Sequence, residues 1–253
     1  MKVDLTGRVA LVTGGSRGIG RAIVLALAEA GADVAFNYRR DEEAAKETLA
    51  MAEPMGRKVK GYLGSVDNWD EDVALIDSVV KDFGSLSILV NNAGIASRGQ
   101  SVFDTDPAEM ERVVRVHAFG PHYMSKLALP HLRAAGRSDI IMISSVATVG
   151  YGANGAPYNM GKAAMEALAY TMAKEERKYG VRVNIVAPSL TVTEMGSRLA
   201  KARGAPNIHD LDATSPFGRV SEPEDVANVV TYLVSDANPY VSGEKINVHG
   251  GGG

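Results

Sequence analysis

Val9-Ala10-Leu11-Val12-Thr13-Gly14-Gly15-Ser16-Arg17-Gly18-Ile19-Gly20 is the stretch that decides the fold. An apolar run of strand length breaks into a glycine-rich turn, and Ile19 to Ala30 then follows the apolar period of a helix. Glycines 14, 18 and 20 allow a tight bend, close approach of a ligand to the backbone, and close packing of helix on strand. The free N–H groups at the start of such a helix suit a pyrophosphate. A glycine turn is also ordinary punctuation, so its place directly after the first strand carries the reading.

Outward from that turn, short apolar runs alternate with helical segments, the pattern of repeated βα units around a parallel sheet. The strands read as Val9 to Thr13, Val34 to Tyr38, Val59 to Leu63, Ile88 to Asn91, Ile140 to Ser144, Val181 to Val186 and Lys245 to Val248. Helices are expected at Ile19 to Ala30, Glu42 to Met51, Trp69 to Phe83, Ala108 to Leu132, Ala163 to Tyr179 and Pro223 to Val234. Pro121 and Pro130 predict a kink in the fourth. The fold class is therefore α/β, a single domain over residues 1–253 with seven strands in a parallel sheet. The long irregular stretch 189–220 is expected to act as a lid over the substrate, and 250–253 reads as a tail.

At 253 residues, 45% hydrophobic and with net charge -3, the chain can bury a full core. Mild acidity with dispersed basic residues argues against a nucleic-acid partner and against an anionic membrane. The absence of cysteine excludes disulfides, thiolate metal sites and cysteine nucleophiles. No apolar stretch reaches a membrane span, and the expectation is a cytoplasmic protein.

Tyr158 and Lys162 stand four apart just after Pro157, thirteen residues past Ser145. That spacing puts both side chains on one helical face, where an ammonium lowers a phenol's pKa. A tyrosine so tuned exchanges a proton with a carbonyl or an alcohol near neutral pH. The second strand ends in Asn37-Tyr38-Arg39-Arg40, where an NAD-binding fold usually has an acid for the ribose hydroxyls. Arg39, helped by Arg17, instead matches a 2′-phosphate, so NADP(H) is favoured and NAD(H) is the alternative. The bland alternative is that both arginines are solvated loop charges.

With these motifs assembled, the chain resembles the short-chain dehydrogenase/reductase family over almost its whole length. The segments that carry the resemblance are the glycine turn, Asn91-Asn92-Ala93-Gly94, Ser145, Tyr158-Asn159-Met160-Gly161-Lys162, Val183-Asn184, Ala187-Pro188 and Gly243 through Gly250. The resemblance implies a doubly wound, Rossmann-type seven-stranded sheet with helices on both faces, and reversible hydride transfer, with Tyr158 as acid or base, Lys162 on the phenol and the nicotinamide ribose, and Ser145 on the substrate oxygen. Cofactor contacts are implied at Gly14, Ser16, Arg17, Gly18, Ile19, Gly20, Tyr38, Arg39, Asn92, Ala93, Gly94, Pro188, Ser189, Thr191 and Thr193. It also implies a homotetramer or homodimer packed through the fourth and fifth helices.

Three positions depart from the family pattern. Ser65-Val66 stands where Asp-Val often meets the adenine, with Asp67 next door. His117 replaces an asparagine that holds a water in a proton relay; it is either a titrating substitute or a satisfied core histidine. Pro188-Ser189 replaces Pro-Gly and restricts the backbone beside the nicotinamide.

Val146, Tyr151, Asn154 and Met195 flank the catalytic residues or open the lid, and are expected to line the substrate pocket. The leading expectation is a carbonyl reductase or secondary alcohol dehydrogenase for a small to medium substrate. The alternatives are a 3-oxoacyl thioester reductase, against which Tyr179 stands where a basic docking residue is expected, and a non-catalytic NADP(H)-sensing regulator.

Overall fold

The computed structural model describes residues 3–251. Its strands are β1 (Val9–Val12), β2 (Asp33–Tyr38), β3 (Val59–Leu63), β4 (Ile88–Asn91), β5 (Ser138–Ile143), β6 (Val181–Pro188) and β7 (Lys245–Val248). All pair in parallel, in the order β3-β2-β1-β4-β5-β6-β7. The central strands are buried along their length and mostly apolar because helices cover both faces. Ala10, Val12, Ile88 and Val90 point to the face covered by α1 (Gly18–Glu29) and α9 (Pro223–Val234). Leu11, Leu89, Ile140 and Met142 point to the face covered by α3 (Trp69–Phe83), α5 (Gly120–Ala134) and α7 (Ala156–Glu176). The strand order reverses between β1 and β4, which opens a crevice at their carboxyl ends.

At the opposite, amino-terminal edge of the sheet, Asp139 is 1% exposed and is gripped by Arg8 at 2.9 Å and Arg182 at 2.5 Å. Arg8 also donates to Ser87 Oγ, so this one cluster joins the starts of four strands.

Three expectations need correction. The single kinked helix over 108–132 is two helices, α4 (Pro107–Val114) and α5, joined by a π-helical turn at Arg115–Phe119. The break precedes Pro121, while Pro130 sits inside α5 without ending it. A π turn lets the wider ladder absorb a residue that a regular helix would misplace, and here that residue is His117. The helix expected from Ala163 begins seven residues earlier, at Ala156, with Pro157 in its first turn, where the missing N–H has no partner to lose.

The stretch 189–220 is not irregular. It holds α8 (Glu194–Ala202), capped by the Thr193 hydroxyl, and short 3₁₀ turns around a small core of Ala200, Ala205, Ile208 and Val220. A short helix after β5, α6 (Ala147–Gly150), was also not foreseen. Of the expected tail, Gly250 packs against Pro216 and Phe217, and residues 252–253 lie outside the described part.

Candidate active site

The glycine turn is held by side chains on three neighbouring segments. Asn37 Oδ1 accepts from Gly14 N–H at 2.8 Å, and its Nδ2 donates to the Gly64 carbonyl at 2.9 Å. Asn92 donates to the Thr13 and Gly14 carbonyls at 2.9 and 3.2 Å, while Ala93 N–H donates to Thr13 Oγ1. Arg21 locks the far side of the turn through the Ser16 carbonyl. A Cβ on Gly20 would stand 2.1 Å from the Gly14 carbonyl oxygen, so only glycine fits there. The first turn of α1, which includes Ile19, has no side-chain cap, and its N–H groups remain available for an anion. Asn37 and Arg21 were missed in the sequence because a buried polar residue in a strand or helix carries no local signal of what it bonds.

A cleft of about 630 Å³ lies at the ends of β2 and β3, lined by Arg39, Arg40, Leu63, Gly64, Ser65, Asp67, Asn68 and Glu71. Arg39 is exposed on it and makes no ion pair among the described residues. Arg17, by contrast, pairs with Glu194 at 2.7 Å and Asp41 at 3.6 Å. Ser65 is bonded to Asp67 and Glu71, and Val66 is buried against Gly120. Tyr38 packs beside Phe36 at the end of β2.

Ser144 and Ser145 separate clearly. Ser144 is 2% exposed and donates to Glu166 at 2.5 Å, whereas Ser145 is only half-buried and its hydroxyl acts on the Tyr158 phenol. Tyr158 and Lys162 lie on the same face of α7, with the ammonium 5.8 Å from the phenol ring centre. Lys162 is 3% exposed and donates to the Ile143 carbonyl at 2.6 Å. Burial pushes its ammonium down to about 7, opposed by the negative charge of Glu166. Burial also pushes the Tyr158 phenol up, and the Ser145 hydrogen bond pulls it part of the way back, so the lowering expected from Lys162 does not prevail.

His117 is fully buried, with its ring edge-on to Tyr158 at 5.0 Å. Nε2 lies 2.8 Å from the Ile95 carbonyl and 3.3 Å from the Ile95 N–H; the shorter contact favours the proton on that nitrogen, which leaves Nδ1 a buried acceptor without a partner among the described residues. Burial, with Lys162 nearby, pushes the imidazole down to about 3. Of the two readings of His117, burial thus favours the core histidine over a group that titrates near neutrality. A Cβ on Gly161 would stand 2.8 Å from His117 Cβ, so the larger ring and this mid-helix glycine share one space.

Ser189 replaces glycine without strain: its N–H donates to the Val248 carbonyl at 3.0 Å, and its backbone is not left-handed. Pro188 ends β6, and its carbonyl accepts from Val146 N–H at 3.1 Å. Thr191 is buried, and Thr193 touches the turn at Gly18. Gly94 lies against the His117 ring. Tyr151 and Asn154 are exposed with φ of 43° and 60°, an uncommon backbone for bulky residues, and Met195 is half-buried at the start of α8.

A family model described as enoyl-(acyl carrier protein) reductase matches residues 14–252. The chain belongs to the short-chain dehydrogenase/reductase family. Its relatives in this family include a 3α-hydroxysteroid dehydrogenase of Mediterraneibacter gnavus, 37% identical over 99% of this chain and 98% of that one. Among solved structures, NAD⁺-bound xylitol dehydrogenase superposes with a TM-score of 0.91 at 27% identity, covering 97% of this chain and 99% of that one. A short chain dehydrogenase from Burkholderia cenocepacia in complex with NADP gives 0.88 at 32% identity and 98% coverage of each. The protein is thus an oxidoreductase of the short-chain dehydrogenase/reductase family, acting on alcohol or carbonyl groups. No helix among the described residues is long and apolar enough to cross a membrane.

Proposed function

We propose that this short-chain dehydrogenase/reductase interconverts a ketone and a secondary alcohol with NADP(H), using Tyr158 as the acid and base. The observation that carries this reading is the convergence of the Ser145 hydroxyl, the Tyr158 phenol and the buried Lys162 ammonium behind an uncapped glycine turn. The NADP-bound neighbour and the hydroxysteroid relative support it.

The turn and the first N–H groups of α1 would hold the pyrophosphate, Lys162 the nicotinamide ribose, and Asn92, Ala93 and Gly94 the adenosine side. Thr191 and Thr193 would close over the amide and phosphate. Arg39, exposed and unpaired on the cleft, is the residue for a 2′-phosphate, since Arg17 is already engaged by two carboxylates. The cofactor, when bound, supplies the hydride.

Ser145 and Tyr158 donate hydrogen bonds to the carbonyl oxygen and stabilise the charge that grows there. Tyr158 then passes its proton to the nascent alkoxide. Lys162 keeps positive charge beside the phenol as it becomes a phenolate, and neutral His117 offers Nδ1 as an acceptor in the relay that restores the proton. Val146, Tyr151, Asn154 and Met195 line the substrate side, and segment 189–220, through α8, acts as the lid. The apolar groove between α5 and α7, lined by Ala118, Phe119, His122, Tyr123 and Leu168, supports assembly into a homotetramer.

A titration with NADPH and with NADH tests the cofactor reading, followed by energy transfer from Trp69, which adjoins the cleft residue Asn68. Arg39→Asp is expected to weaken NADPH about 10- to 100-fold and leave NADH nearly unchanged. Equal binding of both by the native protein would overturn the NADP(H) preference. Loss of reduced cofactor with a 3-oxosteroid and cyclohexanone, against acetoacetyl-coenzyme A, then separates the ketone reading from a thioester reductase.

The lysine's value sets the pH dependence. A cationic group with a lowered pKa loses its charge from about 7 upward. Ketone reduction is therefore expected to hold level on the acid side of about pH 7 and to fall above it, with no second limb from His117. A kcat/KM profile between about pH 5 and 9, repeated on His117→Asn, checks this; an acid limb near pH 6 that vanishes in the variant would contradict it.

A further inference from the structure

Directly behind the catalytic residues, three side chains with no part in the hydride chemistry meet on one carboxylate. Glu166, one helical turn past Lys162 on α7, is buried. It accepts from Ser144 Oγ at 2.5 Å and Thr148 Oγ1 at 2.6 Å, and pairs with the Lys245 ammonium at 2.9 Å. Lys245, the first residue of β7, also donates to Thr148 Oγ1 at 2.5 Å. Thr148 in turn reaches the Ser145 carbonyl at 2.8 Å. One carboxylate thereby ties together the end of β5, the short helix α6, α7 and the edge strand β7. Burying a carboxylate and an ammonium costs free energy unless both are paired and fully bonded, which they are here.

Its location gives the cluster a function. Ser144 adjoins Ser145, so whatever fixes Ser144 and Thr148 fixes the turn that aims the Ser145 hydroxyl. Among the described residues Lys162 has no carboxylate in contact, and its one hydrogen bond is to the Ile143 carbonyl. Tyr158 and neutral His117 are its other titratable neighbours, and neither brings negative charge.

We propose that Glu166 is a positioning residue for hydride transfer: it pins the Ser144-Ser145 turn and supplies the negative charge that holds the Lys162 ammonium in its charged form. The inference rests on the reading of Tyr158 and Lys162 as the acid/base pair. Lys245 tempers the effect from β7, and on the solvent side Glu166 and Glu244 both act on Tyr170. The balance between Glu166 and Lys245 therefore sets the field at Lys162.

The test reads Lys162 directly, by NMR titration of protein labelled with ¹³C at lysine Cε, its signal assigned with Lys162→Met. Glu166→Gln keeps an acceptor for Ser144 and Thr148 but removes the charge. It is expected to lower the Lys162 midpoint by about one pH unit, and to shift the alkaline fall of ketone reduction down with it. Adding Lys245→Met removes the stranded cation and is expected to bring the midpoint part of the way back. The neutral double variant also keeps the test usable if the single variant does not fold, since its midpoint must still lie below that of the native protein.

A folded Glu166→Gln protein, or the double variant, with an unmoved Lys162 midpoint overturns the proposal, even if activity drops. A lowered midpoint in a protein that reduces no ketone in any version would uphold the electrostatic role and count against the ketone-reduction reading instead.

Discussion

Replacing Tyr158 by phenylalanine is expected to lower kcat/KM for ketone reduction by about 10²- to 10⁴-fold, the usual worth of a positioned proton donor. The change deletes one oxygen. The ring that meets His117 edge-on at 5.0 Å stays, so the packing between α7 and the π turn is kept. Ser145 loses its phenol partner but remains in the turn fixed by Ser144 and Thr148. NADPH binding is expected to change by no more than about twofold, which places the loss in the chemical step. Turnover that survives in a pure, folded Tyr158→Phe protein would mean that the proton comes from elsewhere, and the mechanism proposed here would be wrong.

The second large effect is on stability and lies at the other end of the sheet. Asp139→Ala is expected to destabilise the fold by about 3–5 kcal/mol, because it leaves the guanidinium groups of Arg8 and Arg182 facing each other with no counter-ion. For a chain of this size that is a fall in Tm on the order of 10 °C. Burial holds the Asp139 carboxyl above its ordinary value even with both arginines pulling it down, which shows how dry the cluster is. Replacing Arg8, Asp139 and Arg182 together with apolar residues of similar volume is expected to recover most of the loss, since no charge is then stranded. Thermal unfolding of the two variants decides the matter; a loss below about 1 kcal/mol for Asp139→Ala would show that water reaches the pair.

These two sites mark how far the sequence reaches. The apolar runs and the glycine turn announced a parallel sheet because their meaning is local: a strand covered on both faces must be apolar throughout, and a strand must turn sharply to enter its helix. All seven strands were placed within a few residues of their observed bounds. The Tyr158/Lys162 spacing was equally legible, since a helix alone puts residues four apart on one face.

What depends on partners distant in sequence was hidden. Spacing from Tyr158 favoured Ser145 over its neighbour Ser144, but what Ser144 does instead was set by Glu166, more than twenty residues on. The chain left His117 open between a titrating group and a core histidine until the fold buried it against Ile95 and beside Lys162. Arg17 looked free until α8 brought Glu194 to it. Segment 189–220 looked irregular because its small core is built from residues scattered along it.

The sequence by itself determined the sheet, the glycine turn and the shared helical face of Tyr158 and Lys162, because periodicity, glycine sterics and helical spacing act within a few residues. Only the tertiary structure decided which serine is free, which arginine is engaged and which groups keep their charge, because burial and long-range pairing set those free energies.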